Sequence, residues 1–266
     1  MAVMVAREAR PDGGYVARVT IDNAAKLNTL NRALTVEIVE TIKSLEDDSA
    51  LRLVILTGAG ERAFVGGADI TELAILDQET ARDFITLVHR CCDGFRRLAV
   101  PVIARIDGYA LGAGLELAAA CDLRLASERA MFGMPEILVG VPSVIEAALL
   151  PRLIGNGRAR RLLLTAETIG AAEALDWGLV DAVAPPDRLD EAVERFAAAI
   201  LAGGPRAVRL QKELILDWED LSASAAIARG IDAFAEAYRT DEPRRMATAR
   251  LAEMRARRST RSPGQR

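Results

Sequence analysis

Apolar and polar positions along this chain fall into short blocks of two periods, and the order of the blocks predicts the elements. Residues 15–21, YVARVTI, alternate and predict a half-buried strand. Residues 32–45 place Leu34, Ile38, Ile42 and Leu45 on one side of a helix and Glu37, Glu40 and Lys43 on the other. Residues 51–58, LRLVILTG, hold an unbroken apolar run from Leu53 to Leu56, which predicts a strand buried on both faces. Strand, helix and strand in this order imply a crossover unit. A long helix over about 79–98 carries Phe84, Ile85, Val88, Cys92 and Phe95 at core spacing, until Pro101 stops it and opens a strand to Ile106. A short strand at 122–126 and two helical stretches, 143–153 and 158–164, follow, the helical stretches separated by Gly155-Asn156-Gly157. After Pro185-Pro186 the period is helical over 189–201, 205–218, 221–238 and 243 to about 257. The chain is expected to divide into a core, 1–185, and a helical region, 186–266, whose basic end, RARRSTRSPGQR, is expected to be a disordered tail.

Two glycine-rich passages interrupt this rhythm. Residues 101–122, PVIARIDGYALGAGLELAAACD, read as strand, tight loop and buried helix. Gly112 and Gly114 flank Ala113 where backbone must come close, and a helix starting there leaves N–H groups unpaired and partly positive. Such a place suits an oxyanion, and Glu116 in the first turn of an apolar helix stands ready for proton transfer beside it. The alternative, equally open, is that the glycines serve packing and Glu116 only favours the helix dipole. Residues 58–73, GAGERAFVGGADITEL, repeat the order strand, glycine turn, helix. Asp69 with Glu72 three positions on predicts a capping box with the helix starting near Ile70, and Gly66, Gly67 and Ala68 form its approach. Residues 131–142, MFGMPEILVGVP, set Glu136 directly after Pro135 among apolar neighbours, where desolvation and a second carboxylate would both raise its pKa. From spacing alone, a surface Glu beginning a strand is the stronger reading of Glu136.

Composition narrows the partners. Aromatic residues make up 4% of the chain, so the core is built from Ala, Val, Leu and Ile and no base-stacking platform is expected. Lys and Arg number 34 against 38 Asp and Glu, a net charge of -4 that leaves no basic excess for a phosphate backbone. The first residues, MAVMVAREARPDGG, hold no long apolar export segment and no run of membrane-spanning length follows, so a cytoplasmic protein without membrane partners is expected. Cys91, Cys92 and Cys121 have neither disulfide-framework nor metal-ligand spacing and are expected to be small buried residues. The single histidine, His89, lies in a helical pattern beside Arg90 and is expected at the surface, which leaves acid-base chemistry to carboxylates.

The residues now in view resemble the enoyl-CoA hydratase (crotonase) superfamily. FVGGADITEL is similar to its segment supplying one oxyanion-hole amide, GYALGAGLELAAACDLRLAS to its central signature, and FGMPEILVGVP to the segment after that; AETIGAAEALDWGLVDAV is similar to a later motif. The resemblance is close over about 16–183 and loose over the helical end. It implies an α/β fold, the crotonase spiral of β-β-α units, followed by a helical region used to form a homotrimer or a dimer of trimers. The periodicity alone suggests an ordinary α/β sheet. Residue by residue, the resemblance implies that the amides of Ala68 and Ala113 bind the thioester oxygen of an acyl-CoA and that Glu116 and Glu136 are the two acids. It also implies that Lys26, Leu27, Gly66, Ala68, Asp69, Ile70, Gly112 and Ala113 line the CoA and substrate surface. CoA is then the handle of the substrate, with no separate cofactor and no metal.

The departures bear on substrate rather than fold. Ala113 stands where many hydratases have glycine, and Ala24 replaces a proline common in the CoA loop. After the second acid the chain reads VGVPSVIEAALLPRL, without the glycines usual there and with a third acid, Glu146, expected on a helix surface. Near the C-terminus, MATARLAEM stands where relatives place an aromatic residue. The expected reaction is reversible hydration of a 2-enoyl-CoA to a 3-hydroxyacyl-CoA; double-bond isomerisation and non-catalytic acyl-CoA binding are the alternatives.

Overall fold

The computed structural model describes residues 1–11 and 13–260. Two compact units are present, Met1–Ala198 and Ala199–Arg266. The first contains β1 (Ala2–Ala9), β2 (Tyr15–Asp22), α1 (Arg32–Glu46), β3 (Leu51–Gly58), β4 (Ala63–Val65), α2 (Ile70–Leu73) and α3 (Gln78–Arg97). It continues with β5 (Val102–Ile106), β6 (Tyr109–Leu111), α4 (Ala113–Ala120), β7 (Leu123–Ser127), β8 (Met131–Gly133) and α5 (Leu150–Thr165). β9 (Thr168–Gly170), α6 (Ala171–Trp177) and β10 (Ala182–Ala184) follow, and α7 (Leu189–Leu201) leads out of it.

Among the described residues the strands form two sheets, of order β1-β2-β3-β5-β7-β10 and β4-β6-β8-β9. The chain places β3, β5 and β7 in the large sheet, each followed by β4, β6 or β8 in the small one, and then by helical chain. Each circuit is therefore a β-β-α turn, and the circuits stack with parallel pairing within each sheet. This spiral replaces the single sheet that periodicity suggested. The three-residue strands of the small sheet are too short to show a period, which is why sequence patterning passed over them. β1 was also not predicted. It pairs antiparallel with β2 at the edge of the large sheet and stays largely exposed, so its sequence carries little apolar alternation.

The core follows the expected faces. Leu34, Ile38, Ile42 and Leu45 of α1 and Phe84, Val88, Cys92 and Phe95 of α3 are buried, each large apolar side chain contributing about 1.5–3 kcal/mol by leaving water. β3 is buried along its whole length, as its unbroken run required. β2 is more buried than half, because β1 and β3 flank it on both sides. All three cysteines are free and buried. The break expected at Gly155 is a kink in α5, where Gly155 leaves helical conformation at φ 79°.

The second unit contains α8 (Pro205–Asp220), α9 (Ala223–Ala237) and α10 (Glu242–Thr260). Glu242 accepts hydrogen bonds from the amides of Arg206 and Ala207 at the start of α8, where a carboxylate also opposes the helix dipole. The expected tail is helical to Thr260; the remainder, 261–266, lies outside the described residues. No helix among the described residues is long and apolar enough to cross a membrane.

Candidate active site

Two backbone segments, 27–30 and 66–69, are laced together beside one cavity. The Gly66 amide donates to Leu27 O at 2.8 Å, the Leu30 amide to Gly67 O at 2.8 Å, and the Asp69 amide to Leu30 O at 2.8 Å. These bonds form a parallel bridge between Leu30 and Ala68. A parallel bridge engages the residues on either side of its central residue, so the N–H of Ala68 points the opposite way. Ala113 opens α4, and its amide has no i−4 carbonyl within the helix. Among the described residues no acceptor is recorded for either amide, and both residues line the same cavity.

Glycine is needed at two points here. Gly112 has φ 51°, and a Cβ on it would stand 2.6 Å from Glu136 Oε1. Gly114 packs so closely on β4 that a Cβ would collide with the Val65 carbonyl. The glycines thus let α4 start against the small sheet and let a carboxylate lie over its first turn.

The cavity has a volume of about 880 Å³. One end is walled by Gly66, Gly67, Ala68, Gly112 and Ala113 together with Glu116 and Glu136. The rest is mainly apolar, with Leu73, Leu76, Phe84 and Ile85 on the α2–α3 side and Leu138, Val139, Val141 and Val144 on the other. Asp77, Gln78 and Arg82 add the polar groups of the α3 side. Such a shape suits an apolar chain with a polar head.

The two carboxylates differ in setting. Glu116 lies on α4, every residue of which is buried, and is itself 3% exposed. Its Oε1 accepts from the Ala147 amide at 3.3 Å. Burial first, and the nearby Glu136 charge second, push its pKa up to about 8, against the pull of the Ala147 amide. Glu136 begins a short 3₁₀ turn, Glu136–Val139, rather than a strand, and is half-buried. The Ser143 hydroxyl donates to its Oε2 at 2.7 Å.

The remaining expected positions separate into two groups. Gly66, Ala68, Ile70, Gly112 and Ala113 line the cavity; Lys26, Leu27 and Asp69 are not among its lining residues. Lys26 Nζ lies 3.0 Å from Asp69 Oδ2, and Leu27 supplies its carbonyl to Gly66. Asp69 caps α2 through the Thr71 amide at 2.9 Å, and bonds from the Thr71 hydroxyl, then Lys26, hold its carboxyl below the usual range. The predicted capping box is only half present. Glu72 instead accepts from the Arg32 amide at 2.8 Å, and the reciprocal box closes at Asp77 and Thr80, at the start of α3. Both are caps, but the chain needs the full one where the longer helix begins.

Glu146 overturns its expected surface place. It sits in a 3₁₀ turn, Ile145–Leu149, 6% exposed, with Oε1 2.8 Å from His89 Nδ1. His89 itself is exposed, as expected. The helical reading of 143–153 oriented Glu146 outward; the backbone reverses at Ile145 and turns it inward. Its only sequence signal is an acid enclosed by apolar residues in SVIEAALL.

The family model described as "Enoyl-CoA hydratase/isomerase" matches residues 12–258. The chain is 39% identical to the short-chain-enoyl-CoA hydratase of Clostridium acetobutylicum, covering 89% of this chain and 91% of that one. It is 37% identical to the crotonyl-CoA hydratase of Syntrophomonas wolfei, covering 91% and 93%. Among solved structures, the enoyl-CoA hydratase of Bacillus anthracis superposes with a TM-score of 0.86 at 34% identity, covering 99% of this chain and 98% of that one. The spiral of stacked β-β-α turns, the glycine-bounded cavity and these likenesses agree: the chain belongs to the enoyl-CoA hydratase/isomerase family and has the crotonase fold.

Proposed function

We propose that the protein reversibly hydrates a 2-enoyl-CoA to a 3-hydroxyacyl-CoA. The observation that carries this reading is the convergence of Glu116 and Glu136 on one cavity wall beside the Ala68 and Ala113 amides. Hydration needs a base that removes a proton as the oxygen of water bonds to the β carbon, and an acid that delivers a proton to the α carbon. Between these events the α,β π electrons move toward the thioester oxygen, which gains negative charge. The Ala68 and Ala113 amides receive that oxygen, each lowering the barrier by about 3 kcal/mol. Burial keeps Glu116 protonated at neutral pH, so this carboxyl begins the reaction as the acid and the role of base falls to Glu136. The apolar remainder of the cavity takes the acyl chain. Lys26, Leu27, Asp69 and Ile70 border the CoA handle, and no further cofactor takes part.

The decisive experiment is mass spectrometry of the products from crotonyl-CoA and longer 2-enoyl-CoAs in oxygen-18 water, beside Glu116→Gln and Glu136→Gln. Labelled 3-hydroxyacyl-CoA that falls sharply in both variants is expected. Double-bond migration from a β,γ-enoyl-CoA without label would assign isomerisation instead, and CoA-ester binding without turnover on the panel would assign a binder.

The same reading carries a homotrimer or a dimer of trimers. Ile227, Ile231 and Phe234 recur on one side of α9 and are exposed in the single chain, an apolar stripe that assembly would cover. Light scattering at micromolar concentration should return a trimeric or hexameric mass; a monomeric mass would sink this part of the reading.

A further inference from the structure

The proposed reaction makes no use of Glu146, yet its placement is costly in two ways. Ile145, a β-branched residue, has φ 35°, a left-handed conformation that strains its backbone. That turn drives Glu146 inward, where Oε2 is buried with no hydrogen-bond partner among the described residues. A buried polar atom left without a partner is destabilising, so an aliphatic side chain would serve stability better at this position. Both costs fall in one short segment, Ile145–Leu149, which packs on α3 and on α4. The two elements it joins hold different ends of one chain of contacts. His89 Nδ1 on α3 lies 2.8 Å from Glu146 Oε1, and the next residue, Ala147, donates its amide to Glu116 Oε1 on α4.

We propose that His89 and Glu146 form a strut that positions Glu116. The His89–Glu146 bond anchors the 145–149 turn to α3, and the anchored turn holds the Ala147 amide against Glu116 Oε1. Glu146 does not line the cavity, so it is a positioning residue and not a catalytic one. Glu116 needs such a guide because α4 is apolar around it: the rest of its helix offers the carboxyl no hydrogen-bonding side chain to fix its rotamer. The kinetic consequence rests on the hydratase reading; the geometric one does not.

The test compares Glu146→Leu, His89→Ala and Glu146→Gln with the wild-type protein in three measurements. These are kcat and KM on an enoyl-CoA that the wild type hydrates, thermal midpoint, and hydrogen exchange of the 144–149 amides by mass spectrometry. Glu146→Leu and His89→Ala should lower kcat about tenfold with KM within about twofold, since a small displacement of an acid-base group is costly. Exchange of the 144–149 amides should quicken in both, while Glu146→Leu keeps or raises the thermal midpoint. Glu146→Gln should restore both kcat and slow exchange, because its amide can donate to or accept from His89 in either tautomer. Unchanged exchange in Glu146→Leu and His89→Ala overturns the strut. So does a Glu146→Gln variant as impaired as Glu146→Leu, which would make the charge and not the bond the important feature. A fall in kcat matched by a rise in KM and a lower thermal midpoint would reduce the pair to scaffold and also overturn it. If the wild type hydrates no enoyl-CoA, the hydratase reading fails, and the exchange comparison still decides the strut.

Discussion

Glu116 and Glu136 are the same side chain on one cavity, held by two unlike regions. The first grows from α4, where every residue is buried and Gly114 packs helix against strand at backbone contact. The second hangs from the three-residue β8 through a 3₁₀ turn whose Ile137, Leu138 and Val139 are exposed. Burial therefore governs Glu116, raising its pKa to about 8, whereas the half-buried Glu136 is held in place by a local bond from the Ser143 hydroxyl. A pair of acids with divided roles does not require two different residues. It requires two environments, one set by the core and one by a surface turn.

The largest effect should come from removing either acid. Glu116→Gln and Glu136→Gln should each lower kcat about 10²- to 10⁴-fold, the range of a general acid or base. If one variant keeps near-normal turnover, a single carboxyl does both transfers and the division between regions is wrong.

Gly112→Ala comes next, because Gly112 is where the two regions touch. Its φ of 51° and the Glu136 oxygen 2.6 Å from the added Cβ should together displace Glu136 and cost turnover about 10²-fold. Gly140→Ala is the control: it has φ 80° and nothing within 4 Å of its Cβ, so it carries the backbone strain without the collision. Equal kinetic losses in the two variants would show strain, not contact with Glu136, to be the cause.

The protonation of Glu116 should also be visible in stability. The unfolded chain releases this proton near 4.5, whereas the folded chain keeps it to about 8. Between those values the native state binds the extra proton, so the contribution is complete below the lower value and is lost as pH rises through the upper one. Thermal midpoints should therefore fall as pH is raised from about 4.5 towards about 8 and level off above it, and this slope should flatten in Glu116→Gln. An unchanged slope would mean that burial does not set the protonation of this site. The smallest expected effect is Ser143→Ala, which removes one hydrogen bond from a half-buried carboxylate and should lower kcat about fivefold, equivalent to about 1 kcal/mol. An effect as large as that of Glu136→Gln would show the hydroxyl itself to be essential.

Much of the fold was legible because burial writes a period. Leu34, Ile38, Ile42 and Leu45 announced α1, and the run Leu53 to Leu56 announced a strand covered on both sides. The glycines around Ala113 and the acid at Glu116 were equally legible, since close backbone contact and a lone carboxyl in an apolar helix leave local marks. What remained hidden was long-range. The small sheet is made of strands of three residues, and β1 gains its place only by pairing with β2, so neither could write a period.

By itself, the sequence determined the larger elements and the two glycine turns, because each depends on neighbours a few positions away. Only the tertiary structure decided that Lys26 pairs with Asp69, that Gly112 lies beneath Glu136, and that Glu146 turns inward to His89. Those partners stand 43, 24 and 57 residues apart along the chain, and a side chain's direction at such range is set by packing and by one reversed φ at Ile145, neither of which leaves a local pattern.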